Sequence, residues 1–430
     1  MSHAERLKVA IDARSMRGMA GGVAQAAMAL INGLGRLSDG SEAYTIIVES
    51  QQQSDWLRPF IGSNQRLIMK RSVVTRVTPA LGPFLSPARY VRDLIRVNLP
   101  QWLQVPVSHG LYEDLGCHVV HFFHQSYVRC RLPTVYNPHD LQHLHYPEFF
   151  TRPVIAWRGA VLSAGCRFAH TVVVGSQWVK DDIIRHYRVS PNKVEVIPEA
   201  PATQFCLEPS QESLSVVKDK YQLEQPFIIY PAVTWPHKNH IRLLEALAYL
   251  RDSRELIIRL ACTGSRYEPY WPHIEARVKE LTLEDQVKFL GFVPQEDLRA
   301  IYRLSQLLVM PTLFEAISLP IFEAWLEGVP VACSNVTALP EQVMDAAFLF
   351  DPHDVESIAT AIAEVATSAE LQQALRQRGY HRLRDFDWER TAKAYRAVYR
   401  RAAGRPLTEE DRWLLGWDWM REPQRTRGTR

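Results

Sequence analysis

The chain has 430 residues, 47% hydrophobic and 23% charged, and its 50 Lys and Arg against 47 Asp and Glu give a formal charge of +3. That length calls for two or three domains, and the composition excludes a disordered chain. The near balance of charge argues against nucleic acid as the main partner. The six cysteines, at 117, 130, 166, 206, 262 and 333, form no CxxC pair and read as reduced thiols of a cytosolic protein. The start, MSHAERLKVAID, has no apolar signal core, and no run approaches the roughly eighteen apolar residues of a spanning helix. The expected location is therefore the cytoplasm, or the cytoplasmic face of the inner membrane.

In chain order, short apolar runs alternate with helical patterns. The first series of expected strands is KVAIDA from Lys8, YTIIVE from Tyr44, HVVHFF from His118, TVVVGS from Thr171 and VEVIP from Val194. The second is PFIIYPAV from Pro226, LIIRLACTG from Leu256, VKFLGFV from Val287, LLVMPT from Leu307 and VPVACS from Val329. Continuous apolar strands with helices between them are the pattern of parallel sheets covered on both faces. Two such series predict an α/β chain of two doubly wound domains. The boundary is expected in PEAPATQFCLEPSQESL at 198–214, which lacks a clear period. Residues 1–205 then form the first Rossmann-like domain and 206–385 the second. Residues 386–403 carry an amphipathic helix, ERTAKAYRAVYRRA, and 404–430 a tail whose basic end, REPQRTRGTR, reads as disordered.

Within the first series, between YTIIVE and HVVHFF, lies a basic and apolar stretch, 69–103, with Lys70, Arg71, Arg76, Arg89, Arg92 and Arg96 beside Leu94, Ile95, Val97 and Trp102. It fits either peripheral contact with an anionic membrane or an amphipathic helix packed on the sheet. The histidines at 118, 121 and 124, or at 139, 143 and 145, have permissive spacing for zinc. Neither set is completed by a Cys or carboxylate, so no metal is expected.

The chemistry concentrates in LFEAISLPIFEAW, 313–325. After the LLVMPT strand and a short loop, a helix is expected to begin with Ser318 as cap and Pro320 in its first turn, and to end at Gly328. Ligands of such sheets bind at the carboxyl ends of strands, against helix N-termini. Free N–H groups at Ile317, Ser318 and Leu319 would then face a diphosphate. A carboxylate beside a phosphate needs another target, and an ionised carboxylate can accept from both hydroxyls of a diol. Glu315 is expected to hold a sugar and Glu323 a ribose. On spacing alone, a solvated loop acid and a helix-start charge remain the alternative.

PTLFEAISLPIFEAWLEGVPV resembles the signature of the family 4 retaining glycosyltransferases, of GT-B fold, which reads P-S-x-x-E-G-F-G-L-P-x-x-E-A-x-A-x-G-x-P-V. The stretches VVVGSQWVKDDIIRHYRVSPNKVEVIPEA from Val172, WPHKNHIRLLEAL from Trp235 and HDLQHLHYPEFF from His139 agree with it in order. The resemblance implies two Rossmann-like domains facing a cleft, with the C-terminal helix returning to the first. It implies donor contacts from Glu323 to the ribose, Glu315 to the transferred sugar and Lys238 to the diphosphate, and a metal-independent reaction without a cofactor. Lys238 is also chemically apt, as a compact charge opposite a developing diphosphate. It further implies a glycine loop at Gly21 and Gly22 and a sugar-contacting histidine at His139, giving His139, Glu315 and Lys238 as the catalytic set. Many members carry an Arg five or six positions before the lysine, where this chain has Val233 and Ala232; His237, Arg242 or the lysine alone are left for that role.

The expected function is transfer of a hexose, mannose favoured, from a nucleotide-sugar such as GDP-mannose to a glycan or lipid-linked oligosaccharide in surface-polysaccharide synthesis. A nucleotide-sugar 2-epimerase of the same architecture and a catalytically silent binding subunit are the competing readings.

Overall fold

A computed structural model describes residues 6–14, 21–70, 105–223 and 226–420. Most of the basic stretch at 69–103 and the whole REPQRTRGTR end lie outside the described residues. Among those described, no helix is long and apolar enough to cross a membrane.

The chain folds as two units. The first runs to Pro198 and takes back Trp388–Asp418; the second is Glu199–Asp387 with the residues from Trp419. The first holds β1 (Lys8–Asp12), β2 (Ala43–Val48), β3 (Gln65–Met69), β4 (Val119–Phe122), β5 (Thr134–Tyr136), β6 (Thr171–Val174) and β7 (Val194–Val196). They form one parallel sheet in the order β3-β2-β1-β4-β5-β6-β7. The second holds β8 (Phe227–Pro231), β9 (Arg259–Thr263), β10 (Val287–Gly291), β11 (Leu307–Met310), β12 (Val331–Ser334) and β13 (Phe348–Phe350), parallel in the order β10-β9-β8-β11-β12-β13.

Both orders are doubly wound, and the sequence explains why. Interior strands such as TVVV of β6 and LLVM of β11 are buried along their whole length, so both faces must be covered by helices. The winding reverses between β1 and β4 in one unit and between β8 and β11 in the other. At such a reversal the loops leaving adjacent strands part to opposite faces and open a crevice.

The C-terminal helix Trp388–Ala402 packs on the helix Gly22–Arg36 within the first unit. A Cβ at Gly33 would lie 2.9 Å from the Trp388 carbonyl, so glycine is what permits this approach. Its buried face is tied by a directed chain. Tyr399 O–H donates to His121 Nδ1 (2.8 Å), His121 Nε2–H to Asn137 Oδ1 (2.7 Å), and Asn137 Nδ2–H to Tyr395 Oη (2.7 Å). Beyond it, in the stretch read as a tail, Glu409–Gly416 is a helix with a Thr408–Asp411 capping box.

Candidate active site

The crevice of the second unit opens between β8 and β11. The loop leaving β8 passes through Trp235, makes a single turn at Pro236–Lys238 and enters the helix His240–Arg254 at Asn239. Asn239 sits in the left-handed region, φ 60°, which asparagine tolerates better than most residues. Its buried amide donates to the Pro311 carbonyl (2.9 Å) and the Pro352 carbonyl (2.8 Å), stitching three loops together. The His237 carbonyl accepts from Leu313 N–H (2.8 Å), and the Lys238 carbonyl from Tyr230 O–H (2.7 Å). The lysine is therefore held by its backbone, with its side chain left to reach across the crevice.

There it meets Glu315, from the loop after β11, in an ion pair. The side chains are 19% and 12% exposed, so the pair stands at the edge of solvent. The Glu315 N–H donates to Thr337 Oγ1 (3.0 Å), which in turn donates to the Glu315 carbonyl (2.7 Å). Two sequence-expected residues, 77 positions apart, thus meet at the switch point. Arg242, a candidate for the missing Arg, lies one turn into its helix with its guanidinium on Asn239 Oδ1 (3.3 Å).

The helix Leu319–Leu326 begins behind Glu315, with Pro320 in its first turn and Gly328 beyond its end at φ 69°. Two details differ from expectation. Ser318 does not cap the helix with its side chain, because its Oγ is buried without a hydrogen-bond partner. Nor is its N–H free: Gln342 Oε1 accepts it (2.8 Å), and Gln342 Nε2 donates to the Ser318 carbonyl (2.8 Å). A side-chain amide has replaced the serine hydroxyl as the clamp on the helix start, and Ile317 and Leu319 are left to offer N–H groups there.

Glu323 is also more enclosed than expected. It is only 8% exposed and accepts from Tyr302 O–H (3.0 Å). Burial pushes its carboxyl up to about 7, the Tyr302 hydrogen bond pulls it down, and the nearby Glu327 adds a further push upward. A carboxylate read as fully ionised is thus poised between its two forms at neutral pH. Arg299 and Arg303 pair with Glu327, and Arg299 Nη1 also donates to the Cys206 and Leu207 carbonyls. These contacts fix the segment leading into the second unit against the far end of the Glu323 helix.

In the first unit, Gly21 takes φ 108°, ψ 147° at the entrance to the helix Gly22–Arg36, a conformation side chains disfavour. Asp12, at the end of β1, accepts from Arg14 and from Tyr112 O–H (2.6 Å), a buried cluster the sequence reading missed. His139 follows β5 with φ 62°, and its Nε2–H donates to the Phe123 carbonyl. That bond fixes the tautomer, with Nδ1 as the acceptor nitrogen, and burial holds the imidazole below its usual range and so neutral. Backbone strain at a non-glycine residue is typical of functional positions.

The histidine triplets do not converge. His118 Nδ1 accepts from Lys8 N–H (3.0 Å), both His121 nitrogens are used inside the core, and both His143 nitrogens are buried without partners. Among the described residues, the one group of metal-capable side chains that comes together is His145, Asp182 and His186.

Sequence comparison decides the family. The signature described as Glycosyltransferase Family 4 matches residues 20–200, and that described as Glycosyl transferases group 1 matches 216–382. O-antigen chain mannosyltransferase B of Escherichia coli is 30% identical over 268 residues, 60% of this chain and 69% of that protein. The chain belongs to glycosyltransferase family 4. This glycosyltransferase is also 28% identical to O-antigen chain mannosyltransferase RfbU of Salmonella typhimurium, over 53% of its own length and 59% of that relative's. Anabaena Alr3699/HepE, solved in complex with UDP-glucose, superposes with a TM-score of 0.66 at 17% identity, over 91% of this chain and 99% of that one. That likeness and the two parallel Rossmann-like sheets make the glycosyltransferase a GT-B protein.

Proposed function

We propose that this glycosyltransferase moves a mannosyl group from a nucleotide-sugar, GDP-mannose favoured, onto a glycan or lipid-linked acceptor of a cell-surface polysaccharide, with retention and without an obligatory metal. The observation that carries the reading is the Lys238–Glu315 pair at the β8/β11 switch point. Two relatives named as O-antigen mannosyltransferases support the choice of sugar.

In this reading the donor's diphosphate takes Lys238 Nζ from Glu315 and lies toward the N–H groups of Ile317 and Leu319. Glu315, released, accepts from hydroxyls of the transferred sugar. Glu323 accepts from the ribose diol, its charge favoured by those donors. His139 and the Gly21–Gly22 turn are the first unit's candidate contacts in the family resemblance. The leaving diphosphate oxygen removes the acceptor proton on the same face of the sugar, with Lys238 meeting the developing charge where a divalent ion would otherwise serve. The segment with Lys70 and the residues after it is the proposed membrane contact for a lipid-linked acceptor.

A thermal-shift panel of GDP-mannose, UDP-glucose and UDP-N-acetylglucosamine tests the donor, since a ligand of the folded state raises the melting temperature. GDP-mannose is expected to give the largest rise. With an acceptor panel, an α-configured product formed at an unchanged rate in EDTA is expected. An inverted product, or a shift from uridine donors alone, overturns the reading.

A further inference from the structure

In the first unit, a cluster outside the proposed donor contacts gathers on two helices. The helix Gln177–Tyr187 starts under a Ser176 side-chain cap, accepting from Val179 N–H (3.3 Å), and carries Asp182 and His186 four residues apart on one face. The short helix Gln142–His145 ends with its last residue, His145, against that face. His145 Nε2 lies 3.0 and 2.9 Å from the two Asp182 oxygens, and His186 Nε2 lies 3.3 Å from Asp182 Oδ1. All three ligand atoms fall within 4.8 Å of one another.

We propose that His145, Asp182 and His186 form a binding site for a borderline divalent transition metal, zinc being the reference ion. Bonds of about 2.05 Å in a tetrahedral zinc site put ligand atoms roughly 3.3 Å apart, and two edges of this triangle already have that scale. The donor set, two imidazoles and one carboxylate, suits zinc, cobalt or nickel; magnesium and calcium prefer all-oxygen sets. The carboxylate is buried, with 4% of its side chain exposed, whereas the imidazoles are 29% and 36% exposed. The buried ligand fixes the floor of the site, and the open side leaves a fourth position for water. Trp178 lies against His145, ring centroids 5.4 Å apart, and restricts its swing.

The consequence is a clip. His145 closes the segment that begins at His139 and Asp140, where Asp140 is already held by Arg158 (2.7 Å) and Gln125 (3.0 Å). A metal would join that segment to the helix Gln177–Tyr187 by bonds from both sides. If protons fill the triangle instead, both imidazoles donate to Asp182 and no ion is taken up.

The test uses tag-free, chelator-stripped full chain. Zinc titration by calorimetry is expected to give one equivalent, with a saturable rise in melting temperature. Cobalt is expected to show the visible absorption of a four- or five-coordinate ion. His186→Gln, at an exposed position and checked for an unchanged metal-free melting temperature, should weaken zinc at least about tenfold, and His145→Gln likewise. Affinity retained in both variants, or no saturable uptake by the parent chain, overturns the site.

Discussion

With its midpoint near 7, the Glu323 carboxyl in the proposed ribose contact should make donor affinity a function of pH. Ribose hydroxyls donate best to the ionised form, so the donor should weaken as pH falls through 7, approaching tenfold per unit below it. Tyr302→Phe removes the hydrogen bond that favours the ionised form, and should move that midpoint upward. Calorimetric donor titration between pH 6 and 8.5 reads both effects; a flat profile in the parent counts against Glu323 as a contact. The stability sign is opposite to that of an ordinary salt-bridged acid. The folded state binds the proton more tightly than the unfolded chain, whose carboxyl keeps its ordinary value near 4.5. This contribution is therefore greatest at acid pH and is lost as pH rises to 7. Glu323→Gln should stabilise the fold at pH 8, by about 1–3 kcal/mol, and leave it nearly unchanged at pH 4. Thermal melts at the two pH values check the difference. On the same side of the crevice, Glu315→Gln should lower turnover more than donor affinity, because the proposed sugar contact matters most as charge develops at the anomeric carbon.

At the scale of elements, the helix His240–Arg254 depends on one amide. Asn239→Ala strips partners from the Pro311 and Pro352 carbonyls and puts a less tolerant residue at φ 60°. A loss of about 2–4 kcal/mol is expected by denaturant unfolding, with weaker donor binding as the Lys238 loop loosens. Unchanged stability would mean that the loops are held elsewhere. Elements of this kind also mark how far the sequence can be read. Apolar runs such as VPVACS and TVVVGS announced their strands, and the Pro320 to Gly328 punctuation announced its helix. Edge strand β3, QRLIM, escaped because its residues are half exposed and form no continuous apolar run. Strand β5 is legible through the family resemblance, in TVYNPHDL, whereas FLF of β13 is too short a run to tell strand from helix. The Gln342 clamp on Ser318 spans 24 positions and the Asn239 ties 72 and 113, distances no local pattern encodes. The Tyr302 hydrogen bond to Glu323 is equally invisible, because its donor lies 21 positions away on another helix.

For the molecule as a whole, the chain's return is a structural commitment. Trp388–Ala402 brings Arg396 to Asp39 and Arg400 to both Glu42 and Asp411, and it closes the His121–Asn137 chain of hydrogen bonds. Burial pushes His121 down to about 4, so it stays neutral and keeps its donor and acceptor roles throughout the physiological range. Tyr399→Phe leaves His121 Nδ1 without its donor and should cost about 1–3 kcal/mol, read as a lower melting temperature. Truncation after Asp387 should remove folded protein altogether, since it bares the apolar face of Gly22–Arg36 and several buried charges at once.

The second unit's switch point is the proposed seat of the activated sugar. The most direct test is calorimetric titration of GDP-mannose into the parent chain and Lys238→Ala, both shown to be folded. A loss of at least about tenfold in affinity is predicted; equal affinity in the two proteins would contradict it.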